Sequence, residues 1–254
     1  MTLIPKSHPR AKSLLIRERL VNGFERGLVA KEGLLAQGRG EAFDYLLGEK
    51  TSNAAKSAIR AAAAQMVLAK HPVISVNGNI AALCPKDIVK LANATNAKIE
   101  VNLFYSSEQR KKNIVRVLKK NGAKEILGIK KASSTTLKGI ESARRIVDRY
   151  GILEADVVVI PLEDGDRTMA LRDVGKKVIT FDLNPMSRTS QTANITIVDN
   201  VTRSIQLLID YCKKMSKQNK SILEKTVEKF NNEENLSRSI IEIRNNLTRR
   251  AHLA

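Results

Sequence analysis

The strongest constraint on the fold lies between residues 155 and 200, which read ADVVVIPLEDGDRTMALRDVGKKVITFDLNPMSRTSQTANITIVDN. Three apolar runs of β-type residues each end in a polar cluster. The clusters are Glu163-Asp164-Gly165-Asp166-Arg167-Thr168, then Asp182-Leu183-Asn184-Pro185 with Arg188-Thr189, then Asp199-Asn200. The apolar run at 155–162 reads as a parallel strand buried on both faces. In an open parallel sheet, ligands bind just past the carboxyl ends of strands. Three polar strand ends therefore predict a site for a polar, phosphorylated ligand.

The rest of the chain fits the same frame. Helical spacing of Leu14, Leu15, Leu20, Val21 and Phe24 predicts a helix over 9–26 that Gly27 caps. A short helix over 30–36 is expected to stop at Gly38-Arg39-Gly40. An alanine-rich helix follows at 53–70, then strand 73–76, the Asn77-Gly78-Asn79 loop and a helix from Pro85 to Asn93. Strands are expected at 98–104 and 125–129, and helices at 107–121 and 137–149. Beyond 155 come helix 166–174, strands 177–181 and 194–198, and helix 201–216. This alternation predicts an α/β fold: a Rossmann-like parallel sheet flanked by helices, with a helical N-terminal segment. Residues 1–212 read as one α/β domain whose first 70 residues are helical. Residues 213–254 read as a charged helical C-terminal extension that breaks at Asn231-Asn232.

Composition narrows the function classes. No apolar run approaches a membrane span, and residues 1–20 lack an apolar signal core, so a cytoplasmic protein is expected. Cys84 and Cys212 are far apart and in apolar contexts, which reads as free structural thiols. The formal charge of +18 favours anionic partners. The positive charge is spread along the chain and interleaved with acids, and no nucleic-acid module or aromatic stacking platform is evident, so a specific nucleic-acid partner is not expected. The G-x-G-x-x-G and G-x-x-x-x-G-K-[ST] fingerprints are both missing, which weighs against a dinucleotide oxidoreductase and a P-loop enzyme. His8, His71 and His252 have no metal-ligand spacing.

Several clusters carry candidate chemistry. Asp182 at a strand end suits the two hydroxyls of a ribose, and Asn184 can read an adenine edge or an amide. Arg188-Thr189, where a helix starts after Pro185, suits a phosphate; a helix cap with a surface ion pair is the plainer alternative. Gly38-Arg39-Gly40 lets backbone approach a ligand beneath one guanidinium, or is a turn with a surface arginine. The carboxylates of 163–166 suit Mg2+ bridging to ligand phosphates, or an amine substrate, or simple capping by one Asp. Asn77-Gly78-Asn79 is a strand-to-helix turn whose side chains can hydrogen-bond a ligand.

Long blocks then carry a resemblance. IPKSHPR at 4–10, LAQGRGEAFDYLLGE at 35–49, HPVISVNGNIAAL at 71–83, VNLFYSSEQR at 101–110, VVVIPLEDGDRT at 157–168 and FDLNPMSRTSQTANITIVDNVTRSI at 181–205 resemble the archaeal phosphopantothenate synthetase (4-phosphopantoate–β-alanine ligase) family. The likeness runs from about residue 4 to 212, and nothing is carried onto the tail. It implies an ATP-dependent, AMP-forming ligase of coenzyme A biosynthesis that works through an acyl adenylate, as a homodimer. It also implies that ATP contacts Arg17, Arg39, Asp182, Leu183, Asn184, Arg188, Thr189, Asp199 and Asn200. On that footing Arg39 and Arg188 are candidates to stabilise charge on the leaving pyrophosphate. The 4-phosphate is expected near Asn77, Gly78 and Asn79, β-alanine's ammonium near Asp164 or Asp166, and Mg2+ alongside ATP.

Overall fold

The structure is a computed structural model that describes residues 4–5 and 7–253; Lys6 of the first quoted block lies outside the described residues. The N-terminal third is helical: α1 (Ala11–Glu25), α2 (Lys31–Leu47) and α3 (Asn53–Leu68). Strand and helix then alternate through β1 (Pro72–Val76), α4 (Gly78–Leu83), α5 (Pro85–Thr95), β2 (Lys98–Val101) and α6 (Glu108–Lys120). A small antiparallel hairpin, β3 (Ser134–Thr136) and β4 (Ile146–Asp148), precedes β5 (Val157–Val159), α7 (Gly165–Asp173), β6 (Lys177–Phe181), α8 (Arg188–Thr192) and β7 (Ile195–Ile197). Three helices close the chain: α9 (Val201–Met215), α10 (Lys220–Glu228) and α11 (Asn232–Ala251). No helix among the described residues is long and apolar enough to cross a membrane.

The main sheet is parallel throughout, in the order β2-β1-β5-β6-β7. The chain moves from β1 outward to β2, then returns to the other side of β1. The switch point therefore lies between β1 and β5, where a crevice opens at the carboxyl ends. Central strand residues are buried on both faces, from Ile74 and Val76 to Val158, Ile179 and Ile197. The alanine stripe of α3 lets that helix lie close on the sheet and on α9, with Ala55, Ala58, Ala62 and Ala63 fully buried. Cys84 and Cys212 are buried free thiols, pushed up to about 12 by burial.

Three local expectations are corrected. The helix expected to end at Gly38-Arg39-Gly40 runs through it, as α2, to Leu47. The strand expected at 125–129 reduces to a single parallel bridge between Leu127 and Glu100. The helix expected over 137–149 is instead the hairpin return, with a 3-10 turn at Ala143–Arg145. Tertiary hydrogen bonds override helical spacing there. Asn102 Nδ2 donates to the carbonyls of Arg144 and Ile146, at 3.3 and 2.9 Å. Glu100, fully buried at the end of β2, accepts from Asp148 N at 3.0 Å and Ile152 N at 2.7 Å.

Glu100 makes stability pH-dependent. Burial pushes its carboxyl up to about 7, against roughly 4.3 in an unfolded chain. Between those values the folded state binds more protons than the unfolded one, so this contribution is full below about pH 4 and is lost as pH rises through 7. Urea midpoints between pH 5 and 8 should fall more steeply for wild type than for Glu100→Gln. Equal slopes would remove Glu100 as the cause.

Candidate active site

A cleft of about 680 Å³ opens where the switch point predicts, within the usual range for small-molecule sites. Its floor is formed by the loops after β1, β5 and β6; α2 and the Phe104-Tyr105 turn form its sides. Each wall is fixed by bonds that the local sequence supplies.

The β6 loop folds as consecutive Asx turns. Asp182 Oδ1 accepts from Asn184 N at 2.9 Å, and its Oδ2 accepts from the Ser187 hydroxyl. Asn184 Oδ1 accepts from Met186 N at 2.9 Å, which leaves its amide NH2 group uncommitted by this turn. Burial raises the Asp182 pKa, opposed by the Ser187 hydroxyl, the Asn184 amide and, more remotely, Arg39. Ser187 caps α8, whose first residues are Arg188 and Thr189. Thr189 Oγ1 donates to the Glu163 carbonyl at 2.9 Å, tying α8 to the end of β5. Arg188 is exposed and pairs with Asp166 at 2.6 Å.

The β5 loop holds a buried ion cluster. Glu163 is almost wholly buried and accepts from both Arg144 and Arg167. Arg167 is 0% exposed and reaches across to Ser75 of β1 at 3.1 Å; its Nε and Nη2 have no hydrogen-bond partner among the described residues. Burial pulls both guanidinium pKa values down, Arg144 to about 9 and Arg167 to about 10, which leaves both charged at neutral pH. Asp164 caps α7 through Oδ1, which accepts from Arg167 N at 2.9 Å. Its buried Oδ2 lies 3.4 Å from Arg144 Nε but accepts no hydrogen bond among the described residues. That orphaned oxygen fits an incoming cation, either an ammonium or a phosphate-bound Mg2+. Among the described residues no three His, Cys, Asp or Glu side chains converge to hold a metal alone.

The β1 loop is braced by its own asparagines. Asn77 caps α4 and donates to the carbonyls of Pro161 and Leu162, at 2.9 and 3.1 Å, across the switch point. Asn79 Nδ2 donates to Gly33 O of α2 at 2.8 Å. At Gly78 a Cβ would sit 2.2 Å from the Leu28 carbonyl, so only glycine permits this approach. Arg110 packs on the same turn and donates to the Leu28 carbonyl at 2.9 Å.

This crevice, with a carboxylate at the end of β6, arginines in its lining and an orphaned carboxylate oxygen, has the means to hold two anions and a cation together. Comparison with known proteins gives the family. The profile described as phosphopantothenate/pantothenate synthetase matches residues 54–246. The chain belongs to that family. It is 50% identical over 252 residues to the 4-phosphopantoate–β-alanine ligase of Thermococcus kodakarensis, covering 99% of this chain and 96% of the relative. The ligase of the same name from Methanosarcina mazei is 49% identical over 247 residues, covering 97% of this chain and 96% of the relative. The likeness to the family thus extends past residue 212, through much of the tail.

Not every residue singled out in the sequence reaches the cleft. Arg39, Asp182, Leu183, Asn184, Arg188 and Thr189 line it. So do Asn77, Gly78, Asn79 and Asp164. Arg17, Asp166, Asp199 and Asn200 are not on its walls. Arg17 makes a bidentate pair with Glu41 of α2, at 2.8 and 2.9 Å. Asp199 is buried against Arg203 and Thr51, and Asn200 donates to Asp44 of α2 at 3.1 Å. Arg203 also binds Asp44 at 2.7 Å, so both sets of bonds pin α2. Arg110 and Arg144 are site residues that spacing alone did not single out, and Glu163, expected among the candidate cation ligands, is instead committed to Arg144 and Arg167. Arg144 lies where a helix was expected, and Arg110 gives no local signal beyond closing the block at 101–110.

Proposed function

We propose that the protein is an ATP-dependent, AMP-forming ligase that condenses 4-phosphopantoate with β-alanine to 4'-phosphopantothenate through a phosphopantoyl adenylate, in coenzyme A biosynthesis. The observation that carries this reading is near full-length identity of about 50% to ligases of that name, over a cleft of suitable chemistry. A carboxylate oxygen of 4-phosphopantoate attacks the α-phosphorus of ATP, and pyrophosphate leaves. The free amine of β-alanine then attacks the acyl carbon, AMP leaves, and the nitrogen sheds its extra proton to water or a substrate phosphate. No side chain is needed as a dedicated base.

In this reading Asp182 accepts the ribose hydroxyls, and the Asn184 amide meets the adenine or the substrate. Leu183 packs beneath them. Arg39 and Arg188, with Thr189 at the start of α8, meet the phosphates and the charge that builds on pyrophosphate. Arg17, Asp199 and Asn200 act through α2: their partners Glu41, Arg203 and Asp44 hold the helix that carries Arg39. The 4-phosphate sits at the Gly78 turn beside Arg110 and Arg144. The ammonium of β-alanine meets Asp164 Oδ2, with Asp166 farther out on Arg188. A bound Mg2+ would be held by a cleft carboxylate and would neutralise charge on the ATP phosphates. The enzyme works as a homodimer.

The deciding experiment mixes 4-phosphopantoate, β-alanine and ATP and identifies the nucleotide product. AMP with pyrophosphate is expected. ADP would overturn the adenylate step, and no nucleotide turnover at all would overturn the ligase reading.

A further inference from the structure

The C-terminal helix α11 runs behind both arginine-bearing walls of the cleft. At its start, Asn232 Nδ2 donates to the carbonyls of Ser190 and Ala193, at 2.9 and 3.1 Å, gripping the end of α8. The same side chain accepts from Thr196 N of the edge strand β7 at 2.8 Å, and Asn235 Nδ2 donates to Thr196 O at 3.0 Å. Two asparagine side chains thus serve the open edge of β7 as a neighbouring strand would. Near its other end, Asn246 Nδ2 donates to the Leu46 carbonyl of α2 at 2.9 Å. Between these points Leu236 and Ile243 are buried with Leu47, Leu183 and Val198, and Phe43 packs on the cluster. Leu183 and Phe43 both face the cleft on their other side.

We infer that α11 is a brace that sets the spacing of the two nucleotide-binding walls, with Asn232 as the positioning residue for α8 and Asn246 for α2. Neither asparagine touches the cleft. Each holds the backbone of a helix that presents a cleft arginine, Arg188 on α8 and Arg39 on α2. Both helices need such help. α8 has only five residues, and α2 buries a mostly polar face. Reactive groups lose much of their effect when displaced by about 1 Å, so a brace behind the walls acts on ATP more than on the smaller substrates. The inference rests on the reading that this cleft binds ATP.

The test compares Asn232→Asp, Asn246→Ala and Leu223→Ala in the full-length protein, each assayed below its own melting temperature. Aspartate at 232 keeps an acceptor for Thr196 N but cannot donate to Ser190 and Ala193, so it releases α8 while leaving the strand edge capped. Leu223, the buried residue of α10 and away from the cleft, is the control for general destabilisation. The KM for ATP is expected to rise roughly tenfold in Asn232→Asp, and by less in Asn246→Ala, with the KM for β-alanine within about twofold of wild type. Leu223→Ala is expected to lower the melting temperature without moving the KM for ATP. An unchanged KM for ATP in Asn232→Asp, or an equal rise in Leu223→Ala, would overturn the brace. Failure of the wild-type protein to turn over ATP would instead count against the ligase reading.

Discussion

Arg39→Ala is expected to lower AMP formation at saturating ATP, 4-phosphopantoate and β-alanine by a factor on the order of 100 or more. In the proposed reaction both the acid substrate and the nucleotide are anions, and adenylation builds further charge on the departing pyrophosphate. A cation that strengthens its contact only as that charge develops lowers the barrier rather than the KM. Arg39 is suited to this role because its guanidinium lines the cleft and forms no ion pair among the described residues. Arg188 faces the same space but is held by Asp166, so its loss also frees a carboxylate beside the proposed phosphate site. Stability should barely change, because the Arg39 side chain is exposed and bonded to nothing that folding requires. Turnover near wild type in Arg39→Ala would remove it from the reaction, whereas an effect on the KM for ATP alone would make it a ground-state binder.

The sheet and its crevice were legible because parallel strands buried on both faces write long apolar runs, and polar residues stand where those runs end. Asp182, Asn184 and Arg188 were visible for that reason. α2 was cut short because its buried face is Gln37, Glu41, Asp44 and Leu47. Helical period is read from apolar residues, and this helix buries polar ones that Arg17 and Arg203 satisfy from distant segments. Arg144 was hidden for a related reason. LKGIESARRIVDRYG has helical spacing, but Asn102 and Glu100 capture its backbone, a choice made by residues some forty positions earlier. Arg110 and the tail asparagines act through contacts that no local pattern encodes. The acidic cluster at 163–166 divides into three roles by burial alone: Glu163 neutralises arginines, Asp164 caps and faces the cleft, and Asp166 is an exposed partner of Arg188.

That division predicts a large stability effect. Glu163→Ala is expected to destabilise the fold by about 3–5 kcal/mol, because it leaves Arg144 and Arg167 facing each other in a low-dielectric site without their carboxylate. Neither guanidinium can shed its charge at neutral pH, so the cost cannot be evaded by titration. Arg167 is fully enclosed and already carries two nitrogens without hydrogen bonds among the described residues. Among the described residues Ser75 supplies the only other hydrogen bond of its side chain, and Asp164, 3.4 Å from Arg144 Nε, is the other carboxylate paired with Arg144. For a chain of this size the loss corresponds to a fall in melting temperature on the order of 10 °C. Adding Arg144→Met to Glu163→Ala removes one of the stranded cations and should recover part of it, a coupling that marks the charge rather than the lost volume. Glu163→Gln should fall between, since it keeps an acceptor for one arginine and lacks the charge for two. A melting temperature within about 2 °C of wild type in Glu163→Ala, or no recovery in the double variant, would mean that water or Asp164 compensates both arginines and that the cluster is not what holds the β5 loop in the cleft.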